Sequence, residues 1–349
     1  MNARKTVTIE DVALAAGVSR QTVSRVINRG PNVKPAVRER IDAAIERLGY
    51  VPNLSARRMG GGKSFMILAI NDRQRTLENW EAGRGNDWVD QMLFGGMTEC
   101  EKHGYHLVFE LIDAGADDAP RQLSRVIASL RPDGVVLTPP HSDDQALVSL
   151  LDERGIACAR IGQREPSGHL DIFMDERGAA MEATRHLVEL GHRRLTFIAG
   201  SPGYGNSRRR VEGFQSATRA AGISKDGATV LDGDFHFSTT AAVLEPLLKS
   251  RVRPTAIIAD NDEMAFATLH VADRCGIEVP RGLSVISFED TPGVRFSVPP
   301  LTAIRQPTAR MIACACEKLI ESASGKRAAG SFEIPHELIM RATTGPPPR

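Results

Sequence analysis

The chain has 349 residues, enough for two or three domains, and sets 44 Lys and Arg against 43 Asp and Glu for a formal net charge of +1. That balance conceals a division: residues 1–63 hold 12 basic and five acidic side chains, seven surplus positive charges, and the rest of the chain carries six surplus negative ones. A basic head on an acidic body points to nucleic acid or an anionic surface, while no run approaches the roughly 18 apolar residues of a membrane span.

The opening MNARKTVTIEDV lacks the apolar core of a signal peptide, so a cytoplasmic protein is expected. Five cysteines, Cys100, Cys158, Cys275, Cys314 and Cys316, are scattered without a CxxC pair or a zinc-ligand spacing. They read as reduced core thiols, and neither a metal nor a cofactor is expected.

Residues 8–49 read as three short helices. Thr8 caps the first, with Asp11 completing a capping box, and Val12, Ala13 and Ala16 form its apolar stripe. Gly17-Val18 makes a turn, Ser19 caps a second helix from Arg20 to about Asn28, and Pro35 opens a third. Ile41, Ile45 and Leu48 share one face of that third helix, and Gly49 ends it. Two helices joined by a Gly-containing turn and closed by a third make a helix-turn-helix domain, assigned to residues 1–50. Residues 51–63 read as a short helix from Asn53 capped off by Gly60-Gly61-Gly62, too short to persist unsupported.

From Phe65 the period changes. Strands are expected at 65–70, 106–112, 134–139, 171–174, 195–200, 255–260 and 283–288. Helices are expected near 90–103, 119–130, 143–154, 177–190, 206–221, 239–249, 262–275 and 308–323, with a long loop at 71–89 and a loose tail at 345–349. This alternation means doubly wound parallel sheets, and its length favours two lobes over residues 64–345. The first lobe is placed at about 64–162 and 292–322, the second at about 163–291 and 323–345.

The segment TIEDVALAAGVSRQTVSRVINRG (8–30) carries the most chemistry. A reading helix presents side chains from its N-terminal half to base edges, and Arg20, Gln21 and Arg25 do so. Arg suits guanine and Gln suits adenine. Ser19, Thr22, Ser24 and Asn28 suit phosphates. GGGKS (60–64) lacks the first glycine of a nucleotide loop and precedes a strand, so it is not read as one. GSPGYG (200–205) follows a strand and reads as a cleft loop, and no catalytic nucleophile motif is found.

Residues 7–63 resemble the DNA-binding head of the lactose-repressor (LacI/GalR) family of bacterial transcription regulators. DVALAAGVSRQTVSRVIN and VRERIDAAIERLGYVPNLSARRM carry that resemblance. It continues in HLVELGHRRLTFIAG, SRRRVEGF, DNDEMAFA and SVPPLTAIRQP. The family's hinge helix inserts an apolar side chain, usually Leu, into the minor groove; Met59 holds that position, with Asn53, Ala56 and Arg57 matching the rest. The body is then expected to be a periplasmic-binding-protein-like pair of lobes with a ligand at the strand ends.

By the same resemblance Arg210 falls on the ligand-binding arginine, with Asn206 and Arg208 beside it. Phe173 and Phe235 fall on aromatic positions, Asn261 and Gln306 on polar contacts, and Glu289 replaces an Asp that accepts from ligand hydroxyls. Gly162 stands where some sugar-binding relatives carry Asp. Trp80 or Trp88, in the 71–89 segment, is placed to cover the cleft.

The expectation is a non-enzymatic, DNA-binding repressor of carbohydrate-utilisation genes. It would bind a palindromic double-stranded operator as a homodimer, under allosteric control by a sugar or glycoside, and without leucine heptads for a tetramer. The rivals are a solute-binding protein for sugar uptake and an α/β enzyme fused to a DNA-binding head.

Overall fold

Thr8 starts the head as its sequence dictates. Its amide donates to Asp11 Oδ2 at 2.8 Å, and Asp11 N donates back to Thr8 Oγ1 at 3.4 Å, opening α1 (Ile9–Ala16). Gly17 takes φ +61°, which a side chain would resist, and turns the chain towards α2 (Arg20–Ile27). Ser19 Oγ accepts from Thr22 N at 3.2 Å and caps that helix. Pro35 begins α3 (Pro35–Leu48). Val12, Ala16, Val23, Val26, Ile41 and Tyr50 form the buried core, and Arg40 Nη2 ties α3 to Ala16 O at 2.7 Å. Each fully buried Val or Ile contributes about 1.5–3 kcal/mol, a large share for so small a domain.

This computed structural model describes residues 7–27, 30, 32–50, 63–83, 87–115, 117–165, 167–325 and 329–348. Asn28 and the expected hinge contacts Asn53, Ala56, Arg57 and Met59 lie outside the described residues. The chain divides into two compact units, Met1–Phe65 and Met66–Arg349.

The second unit contains two six-stranded sheets. In chain order its first half runs β1 (Met66–Asp72), α4 (Arg73–Glu81), α5 (Asp87–Lys102), β2 (His106–Ile112), α6 (Ala119–Leu130), β3 (Gly134–Leu137), α7 (Gln145–Glu153), β4 (Cys158–Ile161) and β5 (Leu170–Phe173). Then follow α8 (Glu176–Glu189), β6 (Leu195–Ala199), α9 (Gly205–Ala220), β7 (Ala228–Asp232), α10 (Phe237–Lys249), β8 (Ala256–Ala259), α11 (Asp262–Arg274) and β9 (Ser284–Glu289). The last elements are β10 (Thr302–Arg305), α12 (Thr308–Ala323), β11 (Gly330–Glu333) and β12 (Glu337–Ile339).

The strand orders are β11-β5-β4-β3-β1-β2 and β12-β10-β9-β8-β6-β7, parallel throughout except for β12 against β10. β1, β3, β6 and β8 are buried on both faces, as helix-covered parallel strands must be. The first lobe centres on Leu68, Ile70, Leu123, Val135 and Leu137, and the second on Ile198, Leu244, Ile257, Val285 and Leu301.

All seven expected strands are present, but the lobe limits move. Backbone pairing, not chain adjacency, assigns a strand: β5 bonds β4 and β11 bonds β5 in the first sheet, whereas β10 bonds β9 in the second. The chain therefore crosses between lobes after β5, after β10 and after β11. The segment 73–81, expected as loop, is helical because Asp72 Oδ1 accepts from Arg75 N at 3.3 Å and caps α4. The tail is not loose at Gly345, whose O accepts from His192 Nε2 at 2.9 Å and whose N donates to Ser284 Oγ at 3.1 Å. Among the described residues the cysteines are free thiols, and no helix is long and apolar enough to cross a membrane.

Candidate functional site

On α2, Val23 and Val26 turn into the core and leave the opposite face to solvent. Arg20, Gln21 and Arg25 are exposed on that face, Ser19 is exposed at its start, and Thr22 and Ser24 are half-buried. The polar, basic row leads from the tight turn, so the helix N-terminal half is free to meet a base edge or a phosphate. Arg20 Nε lies 3.3 Å from Glu10 Oε1, an exposed pair that holds the guanidinium on the α1 side. Burial and Glu10 together push the Tyr50 phenol up.

In the body, a cleft of about 960 Å³, partly open to solvent, lies between the carboxyl ends of the strands of both sheets. From the first lobe Asn71 and Asp72 end β1, and Arg75, Thr76 and Asn79 repeat along one face of α4. From the second lobe come Tyr204 before α9, Asn206, Ser207 and Arg210 on it, Phe235 after β7, Asn261 capping α11, and Glu289 ending β9. Trp88, Gln306 and Met311 add to the walls, with Pro139, Ile161, Glu176 and Glu263.

Direct bonds join the lobes across this cleft. Tyr204 Oη donates to Asp72 Oδ2 at 2.8 Å. Arg75 donates to Ser201 Oγ at 2.5 Å and to Asp234 O at 3.3 Å, and its guanidinium lies 5.3 and 5.2 Å from the Tyr204 and Phe235 ring centres. Arg209 Nη1 reaches Gly162 O at 2.5 Å. Close packing at the cleft requires two glycines: a Cβ at Gly200 would stand 1.9 Å from Phe235 Cζ, and one at Gly162 would stand 2.8 Å from Asn206 Nδ2. Phe235 and Glu289 have φ of +56° and +99°, left-handed conformations that cost on the order of 1–3 kcal/mol each and gather where a ligand site must be shaped.

Arg210 is buried. Its Nε donates to Glu176 Oε2 at 2.6 Å, its Nη1 to Asp260 Oδ1 at 2.7 Å and Asp260 O at 2.8 Å, and it lies 4.4 Å from the Phe288 ring centre. Burial works against its charge, but Glu176 and Asp260 more than offset that and hold it ionised. Deeper in the carboxylate cluster, burial raises Asp262 to about 7, against donors from Ser287 and Thr291. Burial, then Asp262, pushes Glu289 well above the usual carboxylate range.

Seven of the ten expected ligand residues line this cleft: Asn206, Arg210, Phe235, Asn261, Glu289, Gln306 and Trp88. Three do not. Phe173 is buried at the end of β5, with the Arg164 guanidinium 5.9 Å from its ring centre. Arg208 is exposed because it lies two residues from both Asn206 and Arg210, on the far side of α9. Trp80 is exposed at the end of α4, off the 75/76/79 face. Asp72, Arg75, Asn79 and Tyr204 line the cleft as well, beyond the expected set; in the sequence only the Asp72 cap and the polar stripe after it signal them.

A family model described as bacterial regulatory proteins, lacI family, matches residues 8–53, and one for a periplasmic binding protein-like domain matches residues 184–344. The transcriptional regulator CelR of Thermobifida fusca is 33% identical over 319 residues, covering 89% of this chain and 90% of its own. The repressor PurR of Aliivibrio salmonicida is 30% identical over 337 residues, covering 96% and 98%. A solved complex of CelR with cellobiose superposes with a TM-score of 0.71 at 29% identity, covering 97% of this chain and 99% of that one. The Lac repressor dimer bound to operator and the anti-inducer ONPF shares the fold at a TM-score of 0.79 and 24% identity, covering 98% and 100%. The chain belongs to the LacI family of bacterial regulatory proteins, which are DNA-binding transcription regulators.

Proposed function

We propose that this regulator is a cytoplasmic repressor of carbohydrate-utilisation genes. It binds a palindromic operator as a homodimer and is controlled by a sugar or glycoside in the interlobe cleft. The observation that carries this reading is the pairing, in one chain, of the exposed Arg20–Gln21–Arg25 row with a polar cleft walled by both lobes. Arg20, Gln21 and Arg25 read bases, Ser19, Thr22, Ser24 and Asn28 hold phosphates, and Asn53, Ala56, Arg57 and Met59 serve the central minor groove. Exposed Phe94 and Met97 on α5, with Phe296 and Val298 between β9 and β10, offer apolar surface to a second copy.

Hydroxyls both donate and accept, so they suit the amides of Asn79, Asn206 and Asn261 and the Glu289 carboxyl, while sugar C–H faces suit Trp88 and Phe235. The CelR relative solved with cellobiose supports this ligand class. Three crossings between the lobes allow hinge closure, and the Asp72–Tyr204 and Arg75–Asp234 contacts set its angle. A ligand acts only through its different affinity for the two closure states.

The test is operator binding by the full chain to a duplex selected from a random pool, with carbohydrates first screened by thermal shift. A sugar that raises the melting temperature should also change DNA affinity. Sugars that bind without changing DNA affinity would contradict the coupling, and a protein that retains no duplex would contradict the reading.

A further inference from the structure

We propose that the cleft sorts ligands by charge: it admits an uncharged polyhydroxylated molecule and turns away its carboxylated or phosphorylated counterparts. The hydroxyl requirement rests on the sugar reading above; the charge selection stands on the cleft's own side chains.

Both guanidinium groups of the inner cleft already have anionic partners. Glu176 and Asp260 hold Arg210 at 2.6 and 2.7 Å, and Asp234 Oδ1 lies 3.4 Å from Arg75 Nη2. An incoming anion would have to break these pairs before gaining its own. Beyond Trp88 the cleft continues into an outer chamber of about 980 Å³ that shares Asn79, Asn261, Glu263 and Glu289 with the inner one. It adds Asp87 and Asp262, and its described lining contains no Lys or Arg. A further recess does hold Arg305 and Arg295, but Arg305 is paired to Asp290 at 2.8 Å and to Glu337 at 3.1 Å, and Arg295 is exposed.

Two chambers therefore meet at Trp88 with a surplus of carboxyl groups among their described lining residues. Burial lifts the Asp87, Asp262 and Glu289 carboxyls above their ordinary ranges, so the site already resists the negative charge it has. A buried ligand anion would meet the same desolvation cost, with both guanidinium groups of the inner cleft's described lining already paired. A neutral ring would instead donate hydroxyls to Glu289 and rest on the Trp88 indole.

The chain has two tryptophans, so Trp80→Phe leaves Trp88 as the sole indole and a reporter of this charge. Normalised to free N-acetyltryptophanamide at matched ionic strength, caesium should quench Trp88 several-fold better than iodide, with acrylamide between them. Adding Asp87→Asn and Glu263→Gln, at carboxyls that line the two chambers, should raise the iodide quenching. In parallel, binding of a neutral disaccharide is compared with that of the same disaccharide carrying a terminal carboxylate. The acid should bind at least about tenfold more weakly, about 1.4 kcal/mol.

An acid that binds as tightly as its neutral parent overturns the proposal, as does quenching blind to charge. If neither disaccharide binds while quenching keeps its charge order, the sugar reading fails and the charge selection stands. If the neutral one binds and the order is lost, the sugar reading stands alone.

Discussion

Arg20 and Arg25 on α2 stand in solvent, whereas Arg210 in the body lies buried between Glu176 and Asp260. The same residue type serves opposite ends. On the proposed function, a guanidinium that meets DNA is kept exposed, and the exposed Arg20–Glu10 pair is a weak one, so little is lost when DNA replaces it. A guanidinium that shapes a ligand cleft is fixed by short bonds to two carboxylates and is part of the fold before any ligand arrives. On the proposed function, exposed positive charge belongs to the DNA side and internally paired positive charge to the ligand side.

The largest test of this contrast is Arg210→Ala. It leaves Glu176 and Asp260 facing each other unpaired and should cost about 3–5 kcal/mol of body stability, measured by urea unfolding. Unchanged stability would make Arg210 a ligand contact alone. Arg20→Ala and Gln21→Ala should each reduce discrimination at one base pair by about 1–3 kcal/mol, with unfolding unchanged within about 0.5 kcal/mol. Competition with single-base operator variants reads this, and equal weakening on every duplex would count against base reading. Binding should also fall steeply with salt, despite the nearly neutral chain.

Tyr204→Phe removes the bond to Asp72 across the lobes and should shift the closure equilibrium by about 0.5–1.5 kcal/mol. Ligand titration calorimetry should show a correspondingly altered Kd, with DNA affinity in the ligand-free protein as the second readout.

A further prediction concerns pH. Asp262 ionises near 7 in the folded chain and near 4 when unfolded, so its stabilising contribution is complete below about pH 4 and is lost as pH rises through about 7. Buried His141 and His192, both lowered by burial, act in the opposite sense. The difference between wild type and Asp262→Asn melting temperatures across pH 4–8 isolates the Asp262 part, and parallel curves would refute it.

Much of this was legible in residue order. The head was legible because cap, turn and stripe coincide: Thr8 with Asp11, Gly17, then Ser19. The central strands were legible because burial on both faces demands unbroken apolar runs. β4, β7, β10, β11 and β12 were hidden because charged or half-exposed positions break their apolar runs, whereas the equally short β3, β6 and β8 are buried throughout.

The crossings between lobes were hidden, since CARI, LDIF and TAIR do not state which sheet they join. The resemblance located Arg210 and Asn261 but not their environment. That Arg210 is already paired, and that Arg75 and Tyr204 clasp the lobes, depends on residues brought together from distant parts of the chain.

The central claim is that DNA reading and ligand sensing sit on separate, coupled parts of one chain. The direct measurement is fluorescence anisotropy of a selected operator duplex, with and without a screened sugar, for wild type, Arg20→Ala and Glu289→Gln. Arg20→Ala should weaken DNA binding and keep the sugar Kd, while Glu289→Gln should keep ligand-free DNA affinity and lose the sugar response. Glu289→Gln weakening ligand-free DNA binding as much as Arg20→Ala would contradict the account.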